Sequence, residues 1–186
     1  MLFRSVCGMS VLTDGKYFGG SLEDLNVARA VTNFPLLRKD FIINEYQLIE
    51  AKAHGADVIL LIASVLTREE IKKLSTFAQS LGLEVLLEVH NLEELEKSIM
   101  PSLDIFGVNN RNLKTFEVDL NTSRTLVEKI PTDFVKISES GISDSAAILD
   151  LKTYGFEGFL VGENFMKTNN PGASAAAFIK EIEDEA

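Results

Sequence analysis

A lysine stands where an apolar run ends, in Leu36-Leu37-Arg38-Lys39-Asp40-Phe41. An ammonium leaving an apolar strand can be desolvated into an acid–base group; the alternative is a charge flanking the strand at the surface. A carboxylate sits inside a second run, Leu86-Leu87-Glu88-Val89-His90, where burial is costly unless the group is paired or used. Strand alternation puts Glu84, Leu86 and Glu88 on one side, so Glu88 could face an interior; a structural ion pair is the alternative. His90, taken alone, reads as a cap or a supporting residue. A third run ends Gly107-Val108-Asn109-Asn110-Arg111-Asn112-Leu113. Asn and Arg supply directional donors to an oxygen-rich ligand, and an Asn-rich turn explains the asparagines but not Arg111.

Two more runs end on small residues, in Ser138-Glu139-Ser140-Gly141-Ile142 and Val161-Gly162-Glu163-Asn164, each ahead of a helical pattern. Such turns expose backbone N–H groups beside helix starts and form a phosphate cradle, which barrels often carry after their last two strands. Either glycine alone is equally an ordinary turn.

These side chains need a frame that gathers strand ends. Apolar or β-branched runs recur at residues 9–12, 35–38, 58–62, 84–89, 105–108, 134–137 and 158–161. Helical patterns lie between them: Leu22, Leu25, Ala28 and Arg29; Leu48, Ile49 and Ala51; Ile71, Leu74, Phe77, Ala78 and Leu81. Residues 92–99, 120–130, 146–154 and 173–182 complete the set. Gly55, Gly82 and Gly155 read as helix stops. Thr67 with Glu70 reads as a capping box, Asn91 with Glu94 as an Asn-started version, and Ser143 or Asp144 as a later cap.

Strands apolar on both sides, alternating with helices, fit a parallel sheet covered by helices. An open doubly wound sheet and a (βα)8 barrel both satisfy the pattern, and seven units is one short of the barrel. No Gly-x-Gly-x-x-Gly follows the first strand, which leaves a dinucleotide-binding fold unsupported.

Composition narrows the partners. Lysine and arginine number 18 against 28 acidic residues, so the net charge is 18 − 28 = −10. A nucleic acid or an anionic membrane would call for a basic patch instead. The single cysteine, Cys7, excludes an internal disulfide and a cysteine-based metal site, and reads as a buried small apolar residue. No apolar run approaches the ~20 residues of a membrane span, and residues 1–8 do not pattern as a signal peptide. The expectation is one cytosolic domain over residues 1–186.

The motifs together resemble the indole-3-glycerol phosphate synthase family. They are Ser10-Val11-Leu12-Thr13-Asp14, Phe18-x-Gly20-Ser21, Leu37-Arg38-Lys39-Asp40-Phe41, Gly55-Ala56-Asp57-x-Ile59-Leu60-Leu61-Ile62, Leu87-Glu88-Val89-His90, Asn109-Asn110-Arg111-Asn112-Leu113-Lys114-Thr115, Ser138-Glu139-Ser140-Gly141-Ile142 and Leu160-Val161-Gly162-Glu163. They run in order from Cys7 almost to the C-terminus.

The resemblance implies a (βα)8 TIM barrel of the ribulose-phosphate-binding type, a lyase and decarboxylase of tryptophan biosynthesis. The phosphorylated small-molecule substrate would be 1-(2-carboxyphenylamino)-1-deoxyribulose 5-phosphate, with no metal or organic cofactor. By resemblance, Lys39 is the general-acid lysine and Glu88 the acid–base glutamate, while Asn109 and Arg111 line the reacting centre. Phe18, Phe41, Leu60 and Leu113 would bound the aromatic ring. Ser140, Gly141, Gly162 and Glu163 would offer backbone donors to the phosphate, with the Glu163 carboxylate turned away.

The family's first strand, with a second catalytic lysine and a glutamate, has no counterpart here. The seven strands match its second to eighth, and residues 1–6 match nothing clearly. An unfilled barrel leaves two open edges, which invite self-association and weaken catalysis. Two other readings stand beside the synthase: another ribose-phosphate barrel such as phosphoribosylanthranilate isomerase, and a non-catalytic phosphate-binding or self-associating module.

Overall fold

Each apolar run becomes a strand, and the strands pair in chain order. The computed structural model describes residues 7–185; residues 1–6, for which no clear family counterpart is expected, lie outside the described residues. The strands are β1 (Met9–Leu12), β2 (Leu36–Lys39), β3 (Val58–Ile62), β4 (Glu84–Val89), β5 (Ile105–Asn109), β6 (Val135–Glu139) and β7 (Gly158–Leu160). All pairings are parallel, and the order is β1-β2-β3-β4-β5-β6-β7. Between and after them lie α1 (Leu22–Val31), α2 (Glu45–Ala53), α3 (Arg68–Ser80), α4 (Leu92–Ser98), α5 (Asn121–Leu126), α6 (Ser145–Thr153), α7 (Glu163–Met166) and α8 (Pro171–Glu185).

Period-two alternation separates two cores. Leu37, Val58, Leu60, Ile62 and Leu86 point to one face, with Phe41, Ile105, Ile137 and Leu160 packed against them. Outward residues such as Leu36, Ile59, Leu61, Val85, Leu87 and Phe106 meet the helices in a second, larger cluster. The first face is concave. Lys39 of β2 makes an ion pair at 3.0 Å with Glu139 of β6. In a flat sheet those strands would stand ~19 Å apart, beyond the reach of the two side chains. The sheet is therefore curled into a nearly closed barrel whose inner face is the smaller core. Among the described residues neither β1 nor β7 has a second neighbour, and Met9 and Leu12 stay exposed.

Local signals set the helix ends. Thr67 and Glu70 form the expected capping box, and Asn44 with Gln47 forms another. Asp144, not Ser143, caps α6 by accepting from Ala147 N. Asn91 caps α4, but the Glu94 carboxylate reaches His90 N in place of Asn91 N. The pattern at 120–130 is not one helix: α5 ends at Leu126 and a 3₁₀ turn, Val127–Lys129, follows. Cys7 is exposed ahead of β1, contrary to the expected burial. Among the described residues no helix is long and apolar enough to cross a membrane.

Candidate active site

Inward alternation brings Lys39, Glu88 and Glu139 together from β2, β4 and β6. Lys39 Nζ lies 3.2 Å from Glu88 Oε2 and 3.0 Å from Glu139 Oε2. Alternate strands of a barrel contribute to one layer of side chains, and these three charged groups share such a layer at the C-terminal mouth. Both carboxylates are almost fully buried. Gly107, inward on β5, makes the room: a Cβ there would sit 2.2 Å from Glu139 Oε1. That oxygen is buried and has no hydrogen-bond partner among the described residues.

The outward neighbours hold this layer in place. Arg38, buried on the opposite face of β2, pairs with Asp40 and Glu50 at 2.8 Å and donates to Gln47 O. Asp40 also accepts from the Thr13 hydroxyl at 2.7 Å, so the ends of β1 and β2 are tied on both sides of Lys39. Asn110, outward at the end of β5, donates to Ser138 Oγ, Glu139 O and Ser140 O and accepts from Ser123 N.

Electrostatics pushes the two carboxyls apart. Burial alone would raise Glu88, but the His90 contact, the Lys39 charge and the Asn109 hydrogen bond outweigh it and hold the carboxyl at about 2. For Glu139, burial prevails over the Lys39 charge, with repulsion from Glu88 adding to it, and its carboxyl is raised above the ordinary 4.5. Burial works against the Lys39 charge as well, yet Glu139 and then Glu88 outweigh it, so the ammonium holds its proton tightly. Two carboxyls with opposite proton affinities across one ammonium are an arrangement suited to acid–base chemistry.

The remaining residues fall into smaller groups. Phe18, in the loop after β1, stacks on Phe41 at 5.0 Å and 13°. Leu60 is wholly buried in the inner core, and Leu113 is exposed in the loop after β5. Arg111 donates its backbone N–H to Asn109 Oδ1, and its Nη2 pairs with Glu163 Oε2 at 2.7 Å. Ser140 and Gly141 follow β6 with φ of 67° and 76°, and Gly162 precedes α7. Among the described residues no group of three or more His, Cys, Asp or Glu side chains is placed to hold a metal ion. A groove between α2 and α3, bordered by Ile43, Tyr46, Lys73 and Leu74, lies outside the barrel and shares no residue with this cluster.

Glu139 was within reach of sequence reasoning. It follows Val135 and Ile137 at the inward spacing of β6, the same signal that marks Glu88 on β4. His90 is more than a cap: it touches Glu88 as well as Glu94.

A curled parallel sheet of βα units with a buried Lys–Glu–Glu layer at its C-terminal mouth defines a TIM-barrel enzyme. The chain belongs to the indole-3-glycerol phosphate synthase family, whose model matches residues 4–180, so the match begins at Arg4, ahead of the expected start at Cys7. It is 51% identical to the indole-3-glycerol phosphate synthase of Bacteroides thetaiotaomicron, over 98% of this chain and 70% of that protein. The synthase of Campylobacter jejuni subsp. doylei is 45% identical over 95% of this chain and 68% of its own length. The chain is therefore an enzyme by family, a carboxy-lyase of tryptophan biosynthesis. Among solved structures, 3-hexulose-6-phosphate synthase from Salmonella typhimurium superposes with a TM-score of 0.74 at 13% identity, covering 95% of this chain and 87% of that one. KGPDC from Streptococcus mutans gives 0.70 at 16% identity, over 97% of this chain and 87% of that one. At such identities these two show the fold alone.

Proposed function

We propose that this chain, read as one cytosolic barrel domain over residues 1–186, carries the indole-forming site for 1-(2-carboxyphenylamino)-1-deoxyribulose 5-phosphate. The observation that carries the reading is the pair Glu88 and Glu139, buried on either side of Lys39 with opposite proton affinities. Ring closure joins the carboxylate-bearing aromatic carbon to the ketone carbon, and the ketone oxygen needs a proton as charge collects on it. The Lys39 ammonium is the general acid for that step. Loss of the carboxylate as CO2 returns its bonding electrons to the aromatic ring. The new hydroxyl then leaves as water, which needs a second proton, and the carbon beside nitrogen gives one up. Ionised Glu88 suits the acceptor role and Glu139 the donor role. The reading calls on no metal or organic cofactor.

Asn109 and Arg111 would hold the polar groups around the reacting carbon. The Phe18–Phe41 stack, with Leu60 and Leu113, would bound the aromatic ring. The backbone N–H groups of Ser140, Gly141, Gly162 and Glu163 would take the phosphate while Arg111 draws the Glu163 carboxylate aside. The resemblance implies a further lysine and glutamate on a strand lying between β7 and β1. Glu139 Oε1, without a hydrogen-bond partner among the described residues, is a carboxylate oxygen that such a lysine could meet. Turnover by the 186-residue chain is accordingly set at least about a hundredfold below that of a closed barrel.

Indole fluorescence on mixing the purified chain with the substrate tests the reading, with Lys39→Met as background. Formation of indole-3-glycerol phosphate above that background is expected. No excess at millimolar substrate would sink the catalytic reading. A phosphate-binding module would then be left, recognised by amide shifts at Ser140, Gly141, Gly162 and Glu163 on titration with inorganic phosphate.

A further inference from the structure

His90 sits between two carboxylates. Its Nδ1 lies 3.0 Å from Glu94 Oε2 and its Nε2 lies 3.2 Å from Glu88 Oε1. The side chains are 11% exposed for His90, 3% for Glu88 and 14% for Glu94, so water screens little of this interaction. A neutral imidazole has one N–H and one lone pair, and a lone pair facing a carboxylate is repelled. Both nitrogens face carboxylate oxygens, which is the arrangement of an imidazolium.

Neither carboxylate is free to turn away. Glu94 Oε2 also accepts from His90 N at 2.8 Å, and Glu94 Oε1 accepts from Asn91 Nδ2 at 2.8 Å. The second oxygen of Glu88 is engaged by Lys39. The side chains thus alternate in charge from the helix start to the barrel interior: Glu94 of α4, His90, Glu88 of β4, Lys39 of β2 and Glu139 of β6. Nε2 is buried and faces Glu88 Oε1 at 3.2 Å, with no well-aligned hydrogen bond among the described residues.

We propose that His90 is a positioning residue, an imidazolium clamped by Glu94 that keeps Glu88 ionised and aims its Oε2 at Lys39. This rests on the acid–base reading above and deepens it. Without the imidazolium, Glu88 and Glu139 would share one cation, and a proton would settle between them. With it, Glu88 is committed to the ionised form and Glu139 is left as the proton carrier. Burial lowers the proton affinity of His90, but its close contacts with the Glu88 and Glu94 carboxylates outweigh it and raise the ring to about 9.

The test needs no turnover. The chain has two histidines, His54 and His90, so His54→Gln leaves one imidazole for ¹⁵N NMR. His90 is expected to stay doubly protonated at pH 7 and to titrate near 9, and Glu94→Gln is expected to lower that titration. Carboxyl ¹³C NMR, with Glu88→Gln for assignment, should show the Glu88 titration rising by about one unit or more in His90→Gln. If His90→Gln does not fold, the same rise in Glu94→Gln, smaller in size, carries the test. A neutral His90 at pH 7, or a Glu88 titration indifferent to both variants, overturns the proposal. In a turnover assay, His90→Gln should move the acid limb of the kcat/KM profile upward in pH, and an unmoved limb also counts against the clamp. An intact clamp in a chain that forms no indole would remove the catalytic reading and leave the clamp standing.

Discussion

Lys39, at the end of β2, reaches Glu139, at the end of β6, across the barrel interior, and the two stand 100 residues apart in the chain. The contact depends on the curl of the sheet and also fills its mouth with charge, so the fold and the candidate site stand or fall together.

Replacing that lysine tests the dependence. Lys39→Met keeps the length of the side chain and removes the only cation bonded to Glu139 among the described residues. Breaking a buried pair from one side is expected to destabilise by about 3 kcal/mol, with uptake of a proton by the stranded carboxyls. Urea unfolding with proton-release measurements at neutral pH checks both parts.

Gly107 is the space Glu139 occupies. A methyl group there would lie 2.2 Å from Oε1, so Gly107→Ala must displace the carboxylate from Lys39. Overpacking of this kind costs about 1–3 kcal/mol, and indole formation should fall at least about tenfold as the layer is misaligned. An alanine variant with unchanged stability and rate would show that Glu139 is not confined there.

Stability should peak in a window of pH. Glu88 is lowered from 4.5 to about 2, so its contribution is present above 4.5 and lost as pH falls towards 2. His90 is raised from 6.5 to about 9, so its contribution is present below 6.5 and lost as pH rises through 9. The raised Glu139 acts in the opposite sense: its contribution is present below 4.5 and lost as pH rises through its raised value, so the profile slopes downward above 4.5. The maximum then lies at the acid end of the interval from about 4.5 to 6.5, with the Glu88 and His90 limbs on the order of 2 kcal/mol each. Urea unfolding across pH 3 to 10 measures it, and His90→Gln should flatten the alkaline limb.

Among the described residues the β1 and β7 edges are unpaired, which predicts association. Met9 and Leu12 of β1 are exposed on a strand with one neighbour. We expect the 186-residue chain to form a two-fold dimer through the β1 or β7 edge at micromolar concentration, seen by light scattering. Met9→Lys with Leu12→Lys should shift a β1-mediated dimer to monomer. A monodisperse wild-type monomer would rule the association out.

Much of this molecule is local in origin and was therefore legible in the sequence. The strands fall within a residue or two of the apolar runs, because alternation and β-branching act over a few neighbours. The Thr67–Glu70 box, the Asn91 cap and the glycine stops at 55, 82 and 155 act within one turn. The same periodicity pointed Glu88 inward. The break between α5 and the 3₁₀ turn was not legible, since Leu120, Leu126, Val127 and Ile130 keep an apolar pattern through it.

Only the tertiary structure decided which charges meet. Lys39 between Glu88 and Glu139, His90 between Glu88 and Glu94, and Arg111 on Glu163 are settled by strand register and sheet curvature. Local spacing fixes which face a side chain takes. Its partner across the barrel depends on how far the whole sheet bends, and that follows from packing the outer cluster of helices against every strand at once.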